Sequence, residues 1–347
     1  MDGHMNQTTV GVIGAGRIGR MHTENLVHHI RKAEVKAVAS PHLDEGWAEG
    51  LGIPIRSTDN SAVLDDTEIE AVVITASSGH HSELIQQAAS AGKHIFCEKP
   101  VGFDEGPIEE AIAAAKNAGV QLQVGFNRRF DPDVRRLAES VRDGEVGELH
   151  GLRVINRDPA APPIDFVLRS GGMFFDFAIH DFDTIRFLSN SEIEEVFAAG
   201  SVLVDPEIGN AGDIDTAIIT LRLANGALCV IDNSRQARYG YDQRFEAFGS
   251  NGNLVVDNTR PTIKESFLEG GVYTDLPPKT FVERYRDAFI AELEAFVQCV
   301  LEQRPVSVSA DDALAAVKAA KAAKKSMDEN RPVKLDAAAP AAGGSSR

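Results

Sequence analysis

Short apolar runs alternate with helical patterns in the first third of the chain. The runs are TTVGVIG, VKAVAS, AVVITAS, HIFCEK and LQVGF, and the helical segments between them include HSELIQQAASAG and IEEAIAAAKNAG, each ending in Gly. Such alternation, with strands that are apolar throughout, is typical of a parallel sheet covered on both faces. The pattern therefore predicts an α/β fold built on a doubly wound parallel sheet.

The pattern changes after about Gly125, where β-type runs follow one another directly. Asn225-Gly226 and Asn251-Gly252 each lie between two such runs, which is a strong hairpin signal. Two helical segments, MFFDFAIHDFDTIRFL and ERYRDAFIAELEAFVQCVLEQ, interrupt them. We therefore expect an α/β domain at 8–125 and an α+β domain at 126–336, with tails at 1–7 and 337–347.

Composition and charge narrow the class of partner. The 347 residues carry a net charge of −17, which would repel nucleic acid and anionic membranes. The three cysteines, Cys97, Cys229 and Cys299, lie far apart and form no CxxC motif. Few, widely spaced cysteines fit a protein of a reducing compartment. We expect a cytoplasmic protein with neither a nucleic-acid nor a membrane partner.

The segment VGVIGAGRIGRMH places Gly14, Gly16 and Gly19 directly after a predicted strand and before a helix. In a dinucleotide-binding turn the first Gly permits the tight turn and the second admits the pyrophosphate, while the third lets helix and strand pack closely. The positive end of the helix dipole then faces the phosphates. The motif predicts binding of NAD or NADP; the alternative is a glycine-rich turn in an unrelated α/β protein.

Ser40 lies 21 residues after Gly19, where an NAD-binding domain carries the acid that binds the adenosine ribose. Serine removes both the charge-assisted hydrogen bonds of a carboxylate and its repulsion of a 2′-phosphate. Arg17 could supply positive charge to that phosphate with help from His42, or it could contact the pyrophosphate or solvent. Asp44 is an alternative ribose partner. We expect NADP or NAD as cofactor, with NADP favoured by Ser40 and Arg17.

Two further segments carry candidate catalytic groups. Lys99 ends the strand in HIFCEKP, at the strand end where doubly wound sheets bind ligands, although a surface lysine is the alternative. If the chain is helical from Met173, then Asp176, His180 and Asp183 fall at i, i+4 and i+7 on one face. Such a row suits a general base flanked by acids. A solvated acidic edge and a metal site are the alternatives, and we expect no metal because no other His or Cys cluster completes one.

The chain resembles the glucose–fructose oxidoreductase/inositol dehydrogenase family from Thr9 to about Leu335. The shared segments are GAGRIG, CEKP, QVGFNRRFDP and GGMFFDFAIHDFD. Within the family, DPEIGNAGDIDTA and SRQARYGYDQRFEAFGSNG are most similar to bacterial myo-inositol 2-dehydrogenases. The resemblance implies a Rossmann domain followed by an α+β domain with an open-faced, mainly antiparallel sheet. It also implies a homo-oligomer, a dimer or tetramer, that buries the open face.

The resemblance also assigns roles to residues. Lys99, Asp176 and His180 match the catalytic triad of the family. The implied substrate-binding set is Lys99, Arg128, Asn156, Asp158, Asp176, His180, Asp183 and Tyr241. Ser77 and His81 match residues near the nicotinamide ribose. With the residues of the glycine motif and of the second strand end, the predicted cofactor-binding set is Gly14, Gly16, Arg17, Ile18, Gly19, Ser40, His42, Ala76, Ser77, His81, Glu98 and Lys99. The chain departs from its relatives at Asn156, where they often have His, and at Ser40, where the NAD-dependent members have Asp.

The motifs predict an NAD(P)-binding protein, and the resemblance implies an NAD(P)-dependent oxidoreductase of polyol catabolism that oxidises a ring CH–OH. The expected reaction converts myo-inositol to 2-keto-myo-inositol, with His180 as base, Asp176 orienting it and Lys99 stabilising the developing alkoxide. One alternative is a dehydrogenase of another sugar or inositol isomer, such as glucose, scyllo-inositol or a sugar phosphate. Another is a non-catalytic NADP-sensing regulator, against which the intact triad argues.

Overall fold

The computed structural model describes residues 7–335, so the expected tails lie outside the described residues except for Gln7. The chain divides into two compact units. The first comprises the described chain up to Asp131 together with Arg286–Val317, and the second comprises Pro132–Tyr285 together with the described chain from Lys318. A linear division into domains at residue 125 stays a proposal.

The first unit contains a six-stranded sheet in which every neighbouring pair is parallel. Its strands are β1 (Thr8–Ile13), β2 (Ala33–Ala39), β3 (Ile55–Ser57), β4 (Ala71–Ile74), β5 (His94–Glu98) and β6 (Leu122–Gly125). The spatial order β3-β2-β1-β4-β5-β6 reverses direction between β1 and β4, as in a Rossmann fold. The predicted doubly wound parallel sheet is confirmed.

Helices connect these strands. They are α1 (Arg17–His29), α2 (Glu45–Gly50), α3 (Ser61–Leu64), α4 (His81–Ser90) and α5 (Glu105–Ala118), with 3₁₀ turns at Ser78–His80 and Asn127–Phe130. The predicted glycine terminators follow α4 and α5, because Gly92 and Gly119 take φ values of +70° and +68°. Val10, Val12, Phe96 and Phe296 are among the residues of the core of this unit.

The second unit is built around a seven-stranded sheet. Its elements in chain order are α6 (Pro132–Arg142), β7 (Leu149–Arg157), α7 (Ile164–Ser170), α8 (Ile179–Ser189), β8 (Ile193–Ser201), α9 (Pro206–Asn210), β9 (Thr216–Leu223), β10 (Leu228–Ser234), β11 (Asp242–Gly249), β12 (Gly252–Val256), β13 (Glu265–Leu268), β14 (Gly271–Thr274) and α10 (Phe281–Arg284). The chain continues through α11 (Arg286–Glu302) and α12 (Ala310–Glu329) to β15 (Val333–Lys334).

The order in this sheet is β12-β11-β7-β10-β9-β8-β15, and only the β7–β10 pair is parallel. Both predicted Asn-Gly hairpins form, as β9–β10 and β11–β12. The sheet is therefore mainly antiparallel, as expected. A separate two-stranded hairpin, β13–β14, lies outside it.

One face of the large sheet is buried and the other is open. Leu152, Val154, Ile219 and Ile231 are almost completely buried, whereas Leu228 on the opposite face is 55% exposed. Helices α6 and α8 pack on each other, and α8 contacts β7. The open-faced arrangement implied by the resemblance is thus present. None of the helices within residues 7–335 is both long and apolar enough to cross a membrane.

Candidate active site

The turn between β1 and α1 has the shape that a pyrophosphate requires. Gly14 takes a φ of +103°, and a Cβ there would lie 2.6 Å from the backbone nitrogen of Ala76. A Cβ on Gly19 would lie 2.1 Å from the carbonyl oxygen of Gly14, so the helix can approach the turn only with glycine at this position. A Cβ on Gly16 would meet no atom of the described residues within 4 Å. These residues fit a dinucleotide phosphate at the N-terminus of α1, which begins at Arg17.

The residues expected to select the cofactor lie just after β2 and at the start of α1. Ser40 is buried, whereas Arg17 and His42 are exposed. Asp44 caps α2 by accepting the Trp47 amide at 3.1 Å, and it pairs with Arg20 at 3.2 Å. The hydrogen bond from the Trp47 amide lowers the pKa of Asp44, and Arg20 lowers it further. Asp44 is thus already engaged by the helix that follows it.

The loops after β4 and β5 are joined by one histidine. His81 Nδ1 lies 2.8 Å from the carbonyl oxygen of Pro100, and its Nε2 lies 2.8 Å from that of Ala76. Burial lowers the pKa of His81, although both carbonyls oppose the shift. Ser77, beside Ala76, is exposed. Because the loop after β5 contains Lys99, His81 helps to hold the backbone next to that lysine.

Glu98, Lys99 and His22 meet at the end of β5. Glu98 Oε1 lies 2.7 Å from His22 Nε2, and its Oε2 accepts the backbone N–H of Lys99 at 3.1 Å. Lys99 is half-buried. Glu98 was predicted to bind the cofactor, and in the structure its carboxylate is held by His22 and the Lys99 amide.

A buried acid completes a polar cluster in the first unit. Among the described residues, His22, Glu98 and Glu292 form a group whose ligand atoms all lie within 4.8 Å of one another. Glu292, on α11, is fully buried, and neither of its carboxyl oxygens has a hydrogen-bond partner among the described residues. Burial, reinforced by the charge of Glu98, raises the pKa of Glu292 well above its ordinary value. The cluster could hold a cation by ligand type, but the raised pKa favours a proton on Glu292.

The segment that begins at Met173 is not one α-helix, so the predicted α-helical face is wrong in detail. Met173–Phe177 form a π-helical turn, in which the Ala178 amide bonds the carbonyl oxygen of Met173 at 2.9 Å, and α8 begins only at Ile179. The wider turn places Asp176 before α8, whereas His180 and Asp183 lie within it.

Two glycines and an acid explain this entry into the helix. Gly171 and Gly172 take φ values of +82° and +79°, which redirect the chain directly before the turn. The amide of Met173 then donates to both oxygens of Asp213, at 3.0 and 3.1 Å. The start of the segment is therefore held by a residue 40 positions away, which local periodicity does not show.

The segment nevertheless presents the two predicted catalytic side chains selectively. From Gly172 to Ile185 every residue is buried except Asp176 and His180, which remain partly exposed. The predicted apolar stripe is confirmed, because Phe175, Ala178, Phe182 and Ile185 are all buried. Asp183 is only 1% exposed, and its contact with substrate hydroxyls stays a prediction.

An arginine that the sequence analysis did not select connects two of the selected acids. Arg235 Nη2 donates to Asp176 Oδ2 at 3.0 Å, and its Nη1 donates to Asp158 Oδ2 at 3.3 Å. Arg235 lies just after β10 and is 2% exposed. Burial opposes its charge, but Asp176 and Asp158 outweigh burial and raise the pKa of Arg235. Arg235 could have been selected from the sequence only because it lies in SRQARYGYDQR, a segment that carries part of the family resemblance.

Asn156 and Tyr241 belong to a buried hydrogen-bond network. Asn156 donates to Asp181 Oδ2 at 3.1 Å and accepts from the Tyr241 hydroxyl at 3.2 Å. Asn233 also donates to Asp181 Oδ2, at 2.9 Å. Asp181 and Asn233 were missed, because Asp181 reads as an ordinary helix residue between His180 and Phe182. The network supports the sheet under α8, and direct substrate contacts of Asn156 and Tyr241 stay predictions.

Arg128 lies in the 3₁₀ turn after β6 and is 3% exposed. Its neighbour Arg129 pairs with Asp312 at 3.0 Å. Ile18, the remaining cofactor candidate, lies half-buried in the first turn of α1. The roles of Arg128 and Ile18 toward ligands stay predictions, as do those of the other predicted site residues.

Comparison with known proteins identifies the family. The model of an oxidoreductase family with an NAD-binding Rossmann fold matches residues 8–126. A second model, of the GFO/IDH/MocA C-terminal domain, matches residues 134–255. The predicted resemblance is confirmed by these two matches.

Similarity to individual proteins extends over nearly the whole chain. The chain is 46% identical to a myo-inositol 2-dehydrogenase of Thermotoga maritima, over 94% of this chain and 98% of that one. A solved structure of a myo-inositol dehydrogenase from Corynebacterium glutamicum matches with a TM-score of 0.90 and 34% identity, covering 96% and 100% of the two chains. A scyllo-inositol dehydrogenase from Lactobacillus casei, solved with NAD(H) and scyllo-inositol, matches with a TM-score of 0.89 and 31% identity, covering 94% and 99%. With both family models matched in order along one chain, the protein belongs to the GFO/IDH/MocA oxidoreductase family.

Proposed function

We propose that this protein is an NAD(P)-dependent dehydrogenase that oxidises a ring secondary alcohol of a cyclic polyol, converting myo-inositol to 2-keto-myo-inositol. The observation that carries the proposal is the selective exposure of Asp176 and His180 in an otherwise buried segment. It occurs in a chain that is 46% identical to a myo-inositol 2-dehydrogenase over 94% of its length.

The reaction divides among three side chains. His180 removes the hydroxyl proton as general base, and Asp176 orients the imidazole and supports its positive charge. Lys99 stabilises the negative charge that develops on the substrate oxygen. When bound, the nicotinamide supplies the acceptor for the hydride that leaves the same carbon. Loss of one proton and one hydride leaves a ketone.

Recognition of an uncharged polyol relies on matched hydrogen bonds. Arg128, Asp158 and Asp183 offer donors and acceptors to ring hydroxyls, and Asn156 with Tyr241 completes the polar set. A site built of such groups rejects an isomer that leaves one of them unpaired. This matching, rather than charge, selects the inositol isomer.

For the cofactor, NADP is favoured and NAD remains an alternative. Ser40 offers no carboxylate to repel a 2′-phosphate. Arg17, at the start of α1, and His42, two residues after Ser40, are both exposed. Asp44 is engaged with Trp47 and Arg20, which argues against its use as a substitute ribose ligand. The glycine turn accepts either dinucleotide.

The proposed assembly is a homo-oligomer, a tetramer, that covers the open sheet face. A cytoplasmic location is proposed with it, since Cys97, Cys229 and Cys299 are all free and buried. Membranes and nucleic acids have no part in this proposal.

His180→Ala tests the base assignment. General-base removal lowers turnover by about 10²- to 10⁴-fold, while the affinity for NAD and NADP, measured by fluorescence titration, stays unchanged. His29→Ala, an exposed position at the end of α1, serves as the matched control. Wild-type turnover in His180→Ala would exclude His180 as the base.

A substrate panel separates the alternatives. We expect the highest kcat/KM with myo-inositol when it is compared with scyllo-inositol, glucose and a sugar phosphate. A higher value for one of the others would reassign the substrate within the same chemistry. Tight cofactor binding without turnover of any of them would support the NADP-sensing regulator instead.

A further inference from the structure

Arg235 is held in the second unit by a backbone hydrogen bond, an aromatic ring and two acids. Its backbone amide donates to the Asp215 carbonyl oxygen at 2.8 Å, and its guanidinium stacks 4.7 Å from the Phe177 ring centroid. The two ends of the guanidinium bind separate acids, Asp176 at 3.0 Å and Asp158 at 3.3 Å. With 3% side-chain exposure, it has almost no contact with solvent.

The two carboxylates bound to Arg235 come from distant parts of the chain. Asp158 directly follows β7, and Asp176 lies in the π-helical turn before α8. Arg235 itself follows β10, which pairs in parallel with β7 and so carries Arg235 to the same end of the sheet. A planar guanidinium presents its N–H groups at a set spacing, so two carboxylates on one guanidinium are held at a set separation.

The charges of Arg235 and its two acids make the loss of any one of them costly in free energy. Two carboxylates share one cation in a buried setting, and Asp213 adds to the negative field. Breaking such a buried contact by removing one member leaves uncompensated charge and costs far more than the loss of a surface pair. Because both ends of the guanidinium are already bound to acids, Arg235 is not available as a binding group for an anionic substrate.

We propose that Arg235 is a positioning residue that clamps Asp158 and Asp176, holding a substrate-binding acid and a catalytic acid at one separation. This inference rests on the proposed function, which assigns those roles to the two acids. Arg235 acts through them and touches neither substrate nor cofactor in this scheme. The arrangement suits an uncharged polyol, since the positive charge of Arg235 is paired with acids of the protein itself.

The test compares Arg235→Met, Arg235→Lys and the matched control Arg244→Met. Arg244 also binds an aspartate through two nitrogens, at 2.8 and 2.9 Å. That aspartate is Asp242, which is neither of the two acids bound by Arg235. We expect kcat with myo-inositol to fall about 10²-fold in Arg235→Met, the scale of a small misplacement of reacting groups. Cofactor affinity should not change. Arg244→Met should keep its kcat.

Chemical rescue separates positioning from mere folding. Guanidinium ion at millimolar concentration should restore part of the kcat of Arg235→Met, whereas urea, which has the same shape without the charge, should not. Arg235→Lys should retain more activity than Arg235→Met, because one ammonium can still bind one of the acids. If Arg235→Met does not fold, Arg235→Lys carries the test, with an expected loss in kcat larger than any change in cofactor Kd. Full kcat in Arg235→Met or Arg235→Lys would overturn the proposal.

Failure of the proposed function gives a different result. If the wild type oxidises no cyclitol or sugar, the roles assigned to Asp158 and Asp176 are wrong. The proposal that Arg235 holds the two acids together can still be tested. A crystal structure of Arg235→Lys then decides it. Separation of the Asp158 and Asp176 carboxylates would support the clamp, and unchanged carboxylates would overturn it.

Discussion

At the residue scale, Ser40 is the residue proposed to decide between NAD and NADP. Ser40 stands where NAD-binding domains carry an acid, and the next acid along the chain, Asp44, is engaged in capping α2 and pairing with Arg20. A carboxylate introduced at position 40 is therefore expected to change cofactor choice without changing the reaction.

Ser40→Asp should raise kcat/KM for NAD and lower it for NADP. Each charge-assisted bond from a ribose hydroxyl is worth about 1.5–3 kcal/mol, so the NAD-to-NADP ratio of kcat/KM should change by at least about tenfold. Initial rates with both cofactors measure this ratio. Ser90→Asp, at an exposed position on α4, controls for added charge alone. An unchanged ratio in Ser40→Asp would mean that the ribose is bound elsewhere.

Glu292 gives a second prediction at this scale, for stability. Its raised pKa means that the folded protein keeps this proton above the ordinary value of 4.5, whereas the unfolded chain releases it. The wild type therefore loses stability from Glu292 as pH rises above that value, by up to about 1.4 kcal/mol per pH unit, until the pH passes the folded pKa. Glu292→Gln removes this loss.

Thermal unfolding at pH 5 and pH 8 measures the effect. The Tm of Glu292→Gln relative to wild type should be higher at pH 8 than at pH 5. Glu294→Gln, at an exposed position on the same helix, is the control for the loss of one glutamate. A constant difference for Glu292→Gln would show that Glu292 is ionised in the folded protein.

At the element scale, the β1–α1 turn separates two roles of glycine. Gly19 is needed because a Cβ would lie 2.1 Å from the carbonyl oxygen of Gly14, whereas Gly16 is needed only if a ligand approaches it. Its φ of −72° is one that alanine adopts readily.

Gly19→Ala should destabilise the protein by about 1–3 kcal/mol, the usual cost of overpacking. Gly16→Ala should keep the wild-type Tm but weaken binding of NAD and NADP, because the added methyl group occupies the approach of the pyrophosphate. Tm and cofactor titration on both variants distinguish the two roles. Wild-type cofactor affinity in Gly16→Ala would contradict a phosphate at this turn.

The turn and the hairpins were predictable because their signals are local. Glycine spacing located the dinucleotide turn, and Asn-Gly pairs located both hairpins. The π-helical turn was not predictable, because it depends on Asp213 binding the Met173 amide. Arg235 was missed for the same reason, since its two acids lie 59 and 77 positions away. Glu292 could not be singled out either, because only the packing of α11 shows that its carboxyl group is buried beside Glu98.

At the scale of the whole molecule, the open sheet face needs a cover. Ile218, Leu228, Val230, Phe248 and Val255 are between 37% and 61% exposed on its strands. Contiguous exposed apolar residues of this kind mark interaction surfaces. Another copy of the same chain is the proposed cover.

Leu228→Glu combined with Val230→Glu should therefore convert the proposed oligomer to a smaller species. Adjacent charges on each copy would be desolvated in the interface, which is strongly unfavourable. Sedimentation velocity measures the change, and Leu203→Glu, in an exposed loop, is the control. A wild type that sediments as a monomer would refute the proposed assembly.

The central claim, that this protein oxidises a ring carbon of a cyclitol, is tested most directly by initial rates. Wild-type protein is assayed with myo-inositol, and with myo-inositol deuterated at C2, in the presence of NAD and of NADP. We predict saturable formation of reduced nicotinamide and of 2-keto-myo-inositol with at least one cofactor, at a lower rate with the deuterated substrate. No reduction of either cofactor by myo-inositol would contradict the account.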